Sequence, residues 1–236
     1  LAITDCMNFA APTRPEVMGQ FVGCIEGMAD ACRALDFPVV SGNVSLYNET
    51  EGRGILPTPA IGAVGLLADW ERSATLALNQ PGEEIWLVGE TIGHLGQSLW
   101  LRELCGREEG PPPPVDLAAE RAAGDWVRAL IAGGVATAVH DVSDGGLLVA
   151  LAEMALAGGI GAGLDAALPE GAGFAFGEDQ GRYIVTVPAG TPLPPCPVPL
   201  LRLGATGGDS IRLRSRAVPL GELRAAHEGF LPRLME

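Results

Sequence analysis

The stretch Ser41-Gly42-Asn43-Val44-Ser45-Leu46-Tyr47-Asn48-Glu49-Thr50 decides how this chain is read. Phe37, Val39 and Val40 precede it, so apolar residues of strand character run straight into amides, hydroxyls and a carboxylate. That pattern predicts a strand opening into a polar loop. In such a loop Gly42 would let the backbone approach a ligand closely. Asn43, Ser45, Asn48 and Glu49 would offer oxygen donors of the kind a hard cation prefers. The same residue types also build ordinary polar turns. Two other segments add weight to the functional reading, Leu1–Glu16 upstream and His140–Gly146 downstream, and the fold is expected to bring the three together.

Composition narrows the classes. In 236 residues, a hydrophobic fraction of 47% with 19% charged residues describes a folded protein of one large or two small domains. The net charge of −14 argues against nucleic acid, which needs a basic stripe. All 15 basic residues are arginine. Without lysine, Walker-type phosphate loops, Schiff-base enzymes and lysine general bases are excluded. Phosphate would have to be handled through bound magnesium, backbone N–H groups and a few arginines. The five cysteines are scattered and form no C-x-x-C pair, which fits a reducing, cytoplasmic setting and argues against zinc. No apolar run reaches membrane-spanning length and no signal-peptide pattern opens the chain.

Along the chain, Leu1–Thr4 reads as a buried strand already in progress without an initiator Met, so a fragment is expected. This strand should deliver Asp5, Cys6 and Asn8 into a loop ending at Pro15, which suits the first turn of a helix. From Glu16 to Leu35, Val17, Phe21, Ile25, Met28 and Cys32 recur at helical spacing. A strand over Ala60–Leu67 completes an α/β pattern. The loop-like composition of Arg72–Pro81 marks a domain boundary, giving domains 1–77 and 78–236. Further expectations are strands at Glu84–Val88, Ala136–Val139, Tyr183–Val187 and Ser210–Arg214. Helices are expected at Gly93–Leu104, Leu117–Ile131 and Leu147–Leu156, with a closing helix over Leu220–Met235 broken near Pro232. Pro111–Pro114 reads as a stiff spacer.

Three clusters could carry chemistry. In His140-Asp-Val-Ser-Asp-Gly-Gly146, Asp144 or Ser143 can cap the following helix, whose N–H groups would otherwise suit a phosphate. His140 is expected to be a hydrogen-bonded core histidine, and His94 and His227 structural. Glu178-Asp179-Gln180 is read as acid/base groups or, more simply, as solvated turn carboxylates. Arg14, framed by Pro12 and Pro15, suits an anion contact or a surface ion pair.

Taken in order, five strings resemble the large subunit (subunit II) family of phosphoribosylformylglycinamidine synthase, almost end to end. They are Asp5-Cys-Met-Asn-Phe9 with Arg14-Pro-Glu16, Ser41 to Glu49, Pro57-Thr-Pro59, His140 to Leu147, and Phe176-Gly-Glu-Asp-Gln-Gly-Arg182. The resemblance implies a mixed α/β fold like that of aminoimidazole ribonucleotide synthetase. This chain would cover a partial N-terminal-type domain and a C-terminal-type domain from the second of two copies. It further implies an ATP-dependent ligase of purine biosynthesis, which turns formylglycinamide ribonucleotide, ATP and glutamine-derived ammonia into formylglycinamidine ribonucleotide, ADP and phosphate. By motif position Asp5 and Gly42 would contact ATP, Asn43 would ligate magnesium and Ser45 would touch the substrate. Asp141 and the Glu178-Asp179-Gln180 turn resemble counterparts of metal and substrate positions in the missing first copy and would here line an auxiliary nucleotide site, with Arg14 and Asp144 further candidates.

The catalytic histidine is expected in the absent first copy, so the chain alone should not turn over. Implied partners are that missing half, a glutaminase subunit and a small bridging subunit, with self-association at an open sheet edge. Two departures from the family pattern stand out: Ala10-Ala11, where Gly-Asn is usual, and a short, proline-rich Pro188–Leu203. The alternatives are another member of the superfamily, such as an aminoimidazole ribonucleotide synthetase, or a non-catalytic nucleotide-binding or assembly module.

Overall fold

Ile3 and Met7 are buried while Thr4 between them is exposed, the two-residue period of a half-buried strand. β1 runs Ala2–Asn8 in the computed structural model, which describes residues 1–235. The chain divides into two units, Leu1–Ala68 and Asp69–Glu236.

In the first unit, Pro15 opens α1, Pro15–Leu35, which ends where Asp36 turns left-handed and its N–H returns to the Cys32 carbonyl. Val17 is buried and Phe21, Cys24 and Met28 pack with it around Met7, Phe9 and Ala10. The Phe9 and Phe21 rings meet edge to face at 5.0 Å. Ile25, expected on this stripe, is 44% exposed, and Cys24 takes its place. β2, Val39–Ser45, runs parallel to β1. A small hairpin of β3, Glu49–Thr50, and β4, Arg53–Gly54, precedes β5, Thr58–Val64, which pairs antiparallel on the other side of β1. The sheet order is β2-β1-β5, so β2 and β5 are both edges. The polar stretch that sequence reading put in a loop is therefore strand as far as Ser45, and Asp5, Cys6 and Asn8 lie within β1 itself. Ladder hydrogen bonds to a parallel neighbour and a regular antiparallel partner hold these polar residues extended, against their turn-forming character.

The second unit is built on β6, Glu84–Val88, a π-helical turn at Trp100–Leu104, α2, Leu117–Ala132, β7, Ala138–Asp141, α3, Gly146–Gly158, and β8, Ala162–Leu164. There follow α4, Ala172–Phe176, β9, Tyr183–Val187, β10, Leu200–Thr206, β11, Ser210–Leu213, and β12, Arg216–Pro219. α5, Leu220–Glu228, and α6, Phe230–Met235, close it, the break falling at Gly229 rather than Pro232. Its sheet has the order β12-β11-β8-β10-β6-β9-β7, antiparallel except between β8 and β11. Alternation divides the core between the two faces: Ile85, Leu87 and Ile184 pack with α3, whereas Val88, Val185 and Val187 pack with Trp126, Val127 and Leu130 of α2. Asp116 caps α2, accepting from the N–H groups of Ala118 and Ala119.

The helix expected at Gly93–Leu104 shrinks to that π-helical turn. The N–H groups of Gly93 and His94 donate to Asp179, and that of Leu99 donates to Glu178, so they are withdrawn from a helical ladder. No helix among the described residues is long and apolar enough to cross a membrane.

Among the described residues, one buried side-chain oxygen in this unit lacks a partner. Glu83 is 6% exposed and its Oε2 makes no hydrogen bond. An unsatisfied buried polar group costs about 1–3 kcal/mol, so Glu83→Met is expected to raise the melting temperature of the second unit by about 2 °C or more. Calorimetric melting tests this, and an equal or lower melting temperature contradicts it.

Candidate functional site

The parallel register of β1 and β2 sets Asp5 opposite Gly42, Cys6 opposite Asn43 and Asn8 opposite Ser45. Because side chains alternate across a sheet, Asp5 shares the face of the buried Ile3 and Met7, the side packed by α1. Cys6, Asn8, Asn43 and Ser45 lie on the opposite face. The four residues expected at the site are thus neighbours along one ladder, on two faces of it. Gly42 is required by its neighbour: a Cβ there would collide with the Asp5 carboxylate oxygen. The space gained at Gly42 holds the Asp5 side chain.

Polar side chains around this ladder mostly serve the fold. The Ser41 hydroxyl donates to Thr4 Oγ1 at 2.7 Å, and the Asn8 amide donates to the Cys6 and Thr58 carbonyls at 3.2 Å each. Asn48 and Glu49, read as cation donors from sequence, have internal partners. The Asn48 amide donates to the Phe9 carbonyl at 3.1 Å and the Ser45 carbonyl at 2.9 Å. Glu49 pairs with Arg14, so Arg14 makes the surface ion pair. Ala10, at the departure from the family pattern, is buried, and its carbonyl accepts from the Tyr47 N–H at 3.2 Å. Asp5 and Asn43 stand apart, their side chains making no hydrogen bond or ion pair among the described residues. Those residues also contain no group of three or more His, Cys, Asp or Glu arranged to hold a metal ion.

The second unit holds the other candidates. Its helix cap differs from expectation. Gly145 and Gly146 are left-handed and no side chain of Ser143 or Asp144 caps α3. Gly146 passes so close to Phe176–Gly177 that a Cβ would lie 2.6 Å from the Gly177 oxygen. The carboxylate that serves this turn comes from a distance: Glu178 Oε1 accepts from Gly145 N at 2.8 Å and from Leu99 N at 2.9 Å. Asp179, 4% exposed, accepts from Gly93 and His94 N–H at 3.0 Å each. The Glu178-Asp179 pair is therefore a set of interior clasps, not a solvated turn.

Gln180 is exposed, and with Glu90, Asp116 and Glu120 it lines a cavity of about 230 Å³. Burial raises the Glu120 carboxyl above its ordinary pKa, opposed by the Gly181 backbone hydrogen bond. Asp141 is exposed and contacts His140 Nδ1 at 3.2 Å, while His140 Nε2 lies 2.9 Å from Glu153, so His140 is a hydrogen-bonded, mostly buried histidine. Asp144 is exposed.

Sequence reading missed Arg182. Its side chain is fully enclosed and bonds the Gly177 carbonyl at 2.6 Å, the Asp179 carbonyl at 3.1 Å and Thr91 Oγ1 at 3.2 Å. Burial lowers its pKa, and the nearby Asp179 carboxylate opposes that. The available signal was an arginine placed directly before the apolar strand Tyr183–Val187. Removing one member of such a buried network costs about 3–5 kcal/mol. Arg182→Ala is expected to lower the unfolding free energy of this unit by that order in urea titration, and a loss below about 1 kcal/mol would contradict the clasp.

A protein from Bradyrhizobium diazoefficiens, phosphoribosylformylglycinamidine synthase subunit PurL, is 61% identical to this chain over 244 aligned residues. That alignment covers 100% of the chain and 33% of the relative, so the chain spans about a third of the length of the curated relatives it matches. Among solved structures, the Thermotoga maritima PurL complexed with ATP superposes with a TM-score of 0.67 at 18% identity, over 94% of this chain and 37% of that one. Thiamine monophosphate kinase from Aquifex aeolicus superposes with a TM-score of 0.58 at 20% identity, over 92% and 74%. These likenesses establish the fold. The AIR synthase related protein N-terminal domain matches residues 1–67 and the corresponding C-terminal domain matches residues 80–192. With both domains present in order, the chain belongs to the family of AIR synthase related proteins.

Proposed function

We propose that this chain forms part of an ATP-dependent carbon–nitrogen ligase that converts formylglycinamide ribonucleotide and ammonia to formylglycinamidine ribonucleotide. The observation that carries the reading is the placement of Asp5 opposite Gly42, in space that only a glycine leaves, with Asn43 and Ser45 following on the same strand. The relative named as this synthase subunit, at 61% identity, supports it.

In this reading the Asp5 carboxylate, seated in the space left by Gly42, accepts hydrogen bonds from donors on the nucleotide. The Asn43 amide oxygen is a fitting donor for magnesium, which takes few protein ligands and completes its shell with phosphate oxygens and water. When bound, the ion neutralises charge on the transferring phosphoryl group. Ser45 touches the amide-bearing substrate. ATP transfers its γ-phosphoryl group to the substrate's amide oxygen with release of ADP, ammonia attacks the carbon that bears this oxygen, and phosphate leaves from that carbon.

In this account the first domain, read from sequence as 1–77, is the remainder of an ATP-binding domain whose folded unit is Leu1–Ala68, and the C-terminal-type domain follows it. Asp141 and Gln180 line an auxiliary nucleotide site, with Glu178 holding the turn beside it and Asp144 a further candidate. Ammonia comes from a glutaminase subunit held through a small bridging subunit, and the free β2 edge offers a place for another strand to pair.

The isolated chain should form no ADP from ATP and formylglycinamide ribonucleotide. Joined to the remaining length of the Bradyrhizobium diazoefficiens relative, it should regain turnover with ammonia. Asp5→Ala should then lower kcat/KM about 100-fold. Turnover by the isolated chain, or no activity after joining, would refute the proposal.

A further inference from the structure

The turn after β2 carries a hydrogen-bond arrangement that determines what the Ser45 hydroxyl can do. An asparagine amide has two N–H hydrogens and one acceptor oxygen. Asn48 Nδ2 faces two carbonyls, Phe9 at 3.1 Å and Ser45 at 2.9 Å, and these take its two hydrogens. Amide orientation is thereby set, since a flipped amide would press its oxygen against both carbonyls. Asn48 Oδ1 is left facing the Ser45 hydroxyl, 3.2 Å away. Nδ2 also donates to Ser45 Oγ at 3.1 Å, sharing a hydrogen with a carbonyl, so this contact too meets Ser45 Oγ as an acceptor.

The hydroxyl has a single proton, and Asn48 Oδ1 is its acceptor. What remains on Ser45 Oγ for a ligand is lone-pair density.

The clamp is reinforced on every side. Phe9 N–H donates to the Ser45 carbonyl at 3.0 Å, Asn48 N–H to the Phe9 carbonyl at 3.1 Å and Tyr47 N–H to the Ala10 carbonyl at 3.2 Å. Tyr47 holds a left-handed φ of 60°, a conformation a tyrosine keeps only where its surroundings impose it. The Arg14–Glu49 ion pair joins the same two segments. Asn48 is half-buried, so water does not readily replace its bonds.

We propose that Asn48 is a positioning residue that fixes the Ser45 hydroxyl as a hydrogen-bond acceptor, selecting a substrate that presents a hydroxyl or amide N–H donor at that point. The proposal rests on the reading of Ser45 as a substrate contact. Asn48 itself touches no substrate.

A double-mutant cycle tests it in the chain joined to the remaining length of its relative, with formylglycinamide ribonucleotide as the varied substrate. Asn48→Ala is expected to raise the KM for that substrate about tenfold, with the KM for ATP changed less than about twofold. In a Ser45→Ala background the same substitution should change the substrate KM less than about twofold, because its effect passes through the missing hydroxyl. Asn48→Leu, which fills similar space but offers Ser45 no acceptor, gives a second reading should the alanine variant fold poorly, and the same pattern is expected. Equal effects in both backgrounds, or equal effects on both substrates, would mean that Asn48 only stabilises the turn, and would overturn the proposal. An unchanged KM for Ser45→Ala alone would instead remove Ser45 as a substrate contact, and the proposal would fall with that reading.

Discussion

The parallel pairing of β1 with β2 is the constraint on which the candidate site depends. Register places the Asp5 carboxylate over Gly42, and any side chain at that position would expel it. The same register sets Asn43 beside Cys6 and Ser45 beside Asn8 on the other face. A slip of one residue would exchange the faces of every one of these groups. What holds the register is mostly apolar: Ile3 and Met7 are buried, and Met7 packs with Phe9, Val17 and Phe21. Beyond the strand ends the pairing is locked by the Asn48 clamp and the Arg14–Glu49 pair. The candidate groups are thus placed by residues outside the candidate site.

In the second unit, charge takes the place of apolar packing at the corresponding strand ends. Glu178, Asp179 and Arg182 fasten the loops at Gly89–Leu99, Ser143–Gly146 and Gly177–Arg182 through backbone N–H and carbonyl groups. Burying such groups is tolerable only when each finds partners. Asp179 does so with two amides, and Arg182 with two carbonyls and a hydroxyl. Gln180 is left exposed on the fixed turn and lines a cavity with Glu90, Asp116 and Glu120, carboxylates that would favour cationic over anionic groups unless a cation accompanies the latter.

Much of this architecture was legible in the sequence where one pattern dominated. β6 and β9 occupy the predicted residues because Glu84–Val88 and Tyr183–Val187 are short apolar runs bounded by turn residues. α2 emerges from its Asp116 cap and apolar stripe. The reading failed where tertiary partners outweigh local preference. Gly93–Leu104 has helical composition, yet its N–H groups are taken by carboxylates some 80 residues away in sequence, and no local pattern carries that information. β8, β10 and β12 went unseen because glycine, arginine and proline interrupt them. At the candidate site, the motif strings point to residues that the fold sets along one ladder, but residue type alone could not separate Asn43 from Asn48. Both are amides in one polar string; one is a clamp between two loops and the other has no internal partner.

That distinction is the centre of the account, and calorimetric titration of the chain with ADP, with and without magnesium, tests it most directly. Magnesium-dependent binding that Asn43→Ala abolishes is the predicted result. Binding of equal strength in the Asn43→Ala variant, or binding indifferent to magnesium, would contradict the assignment of Asn43 to the metal.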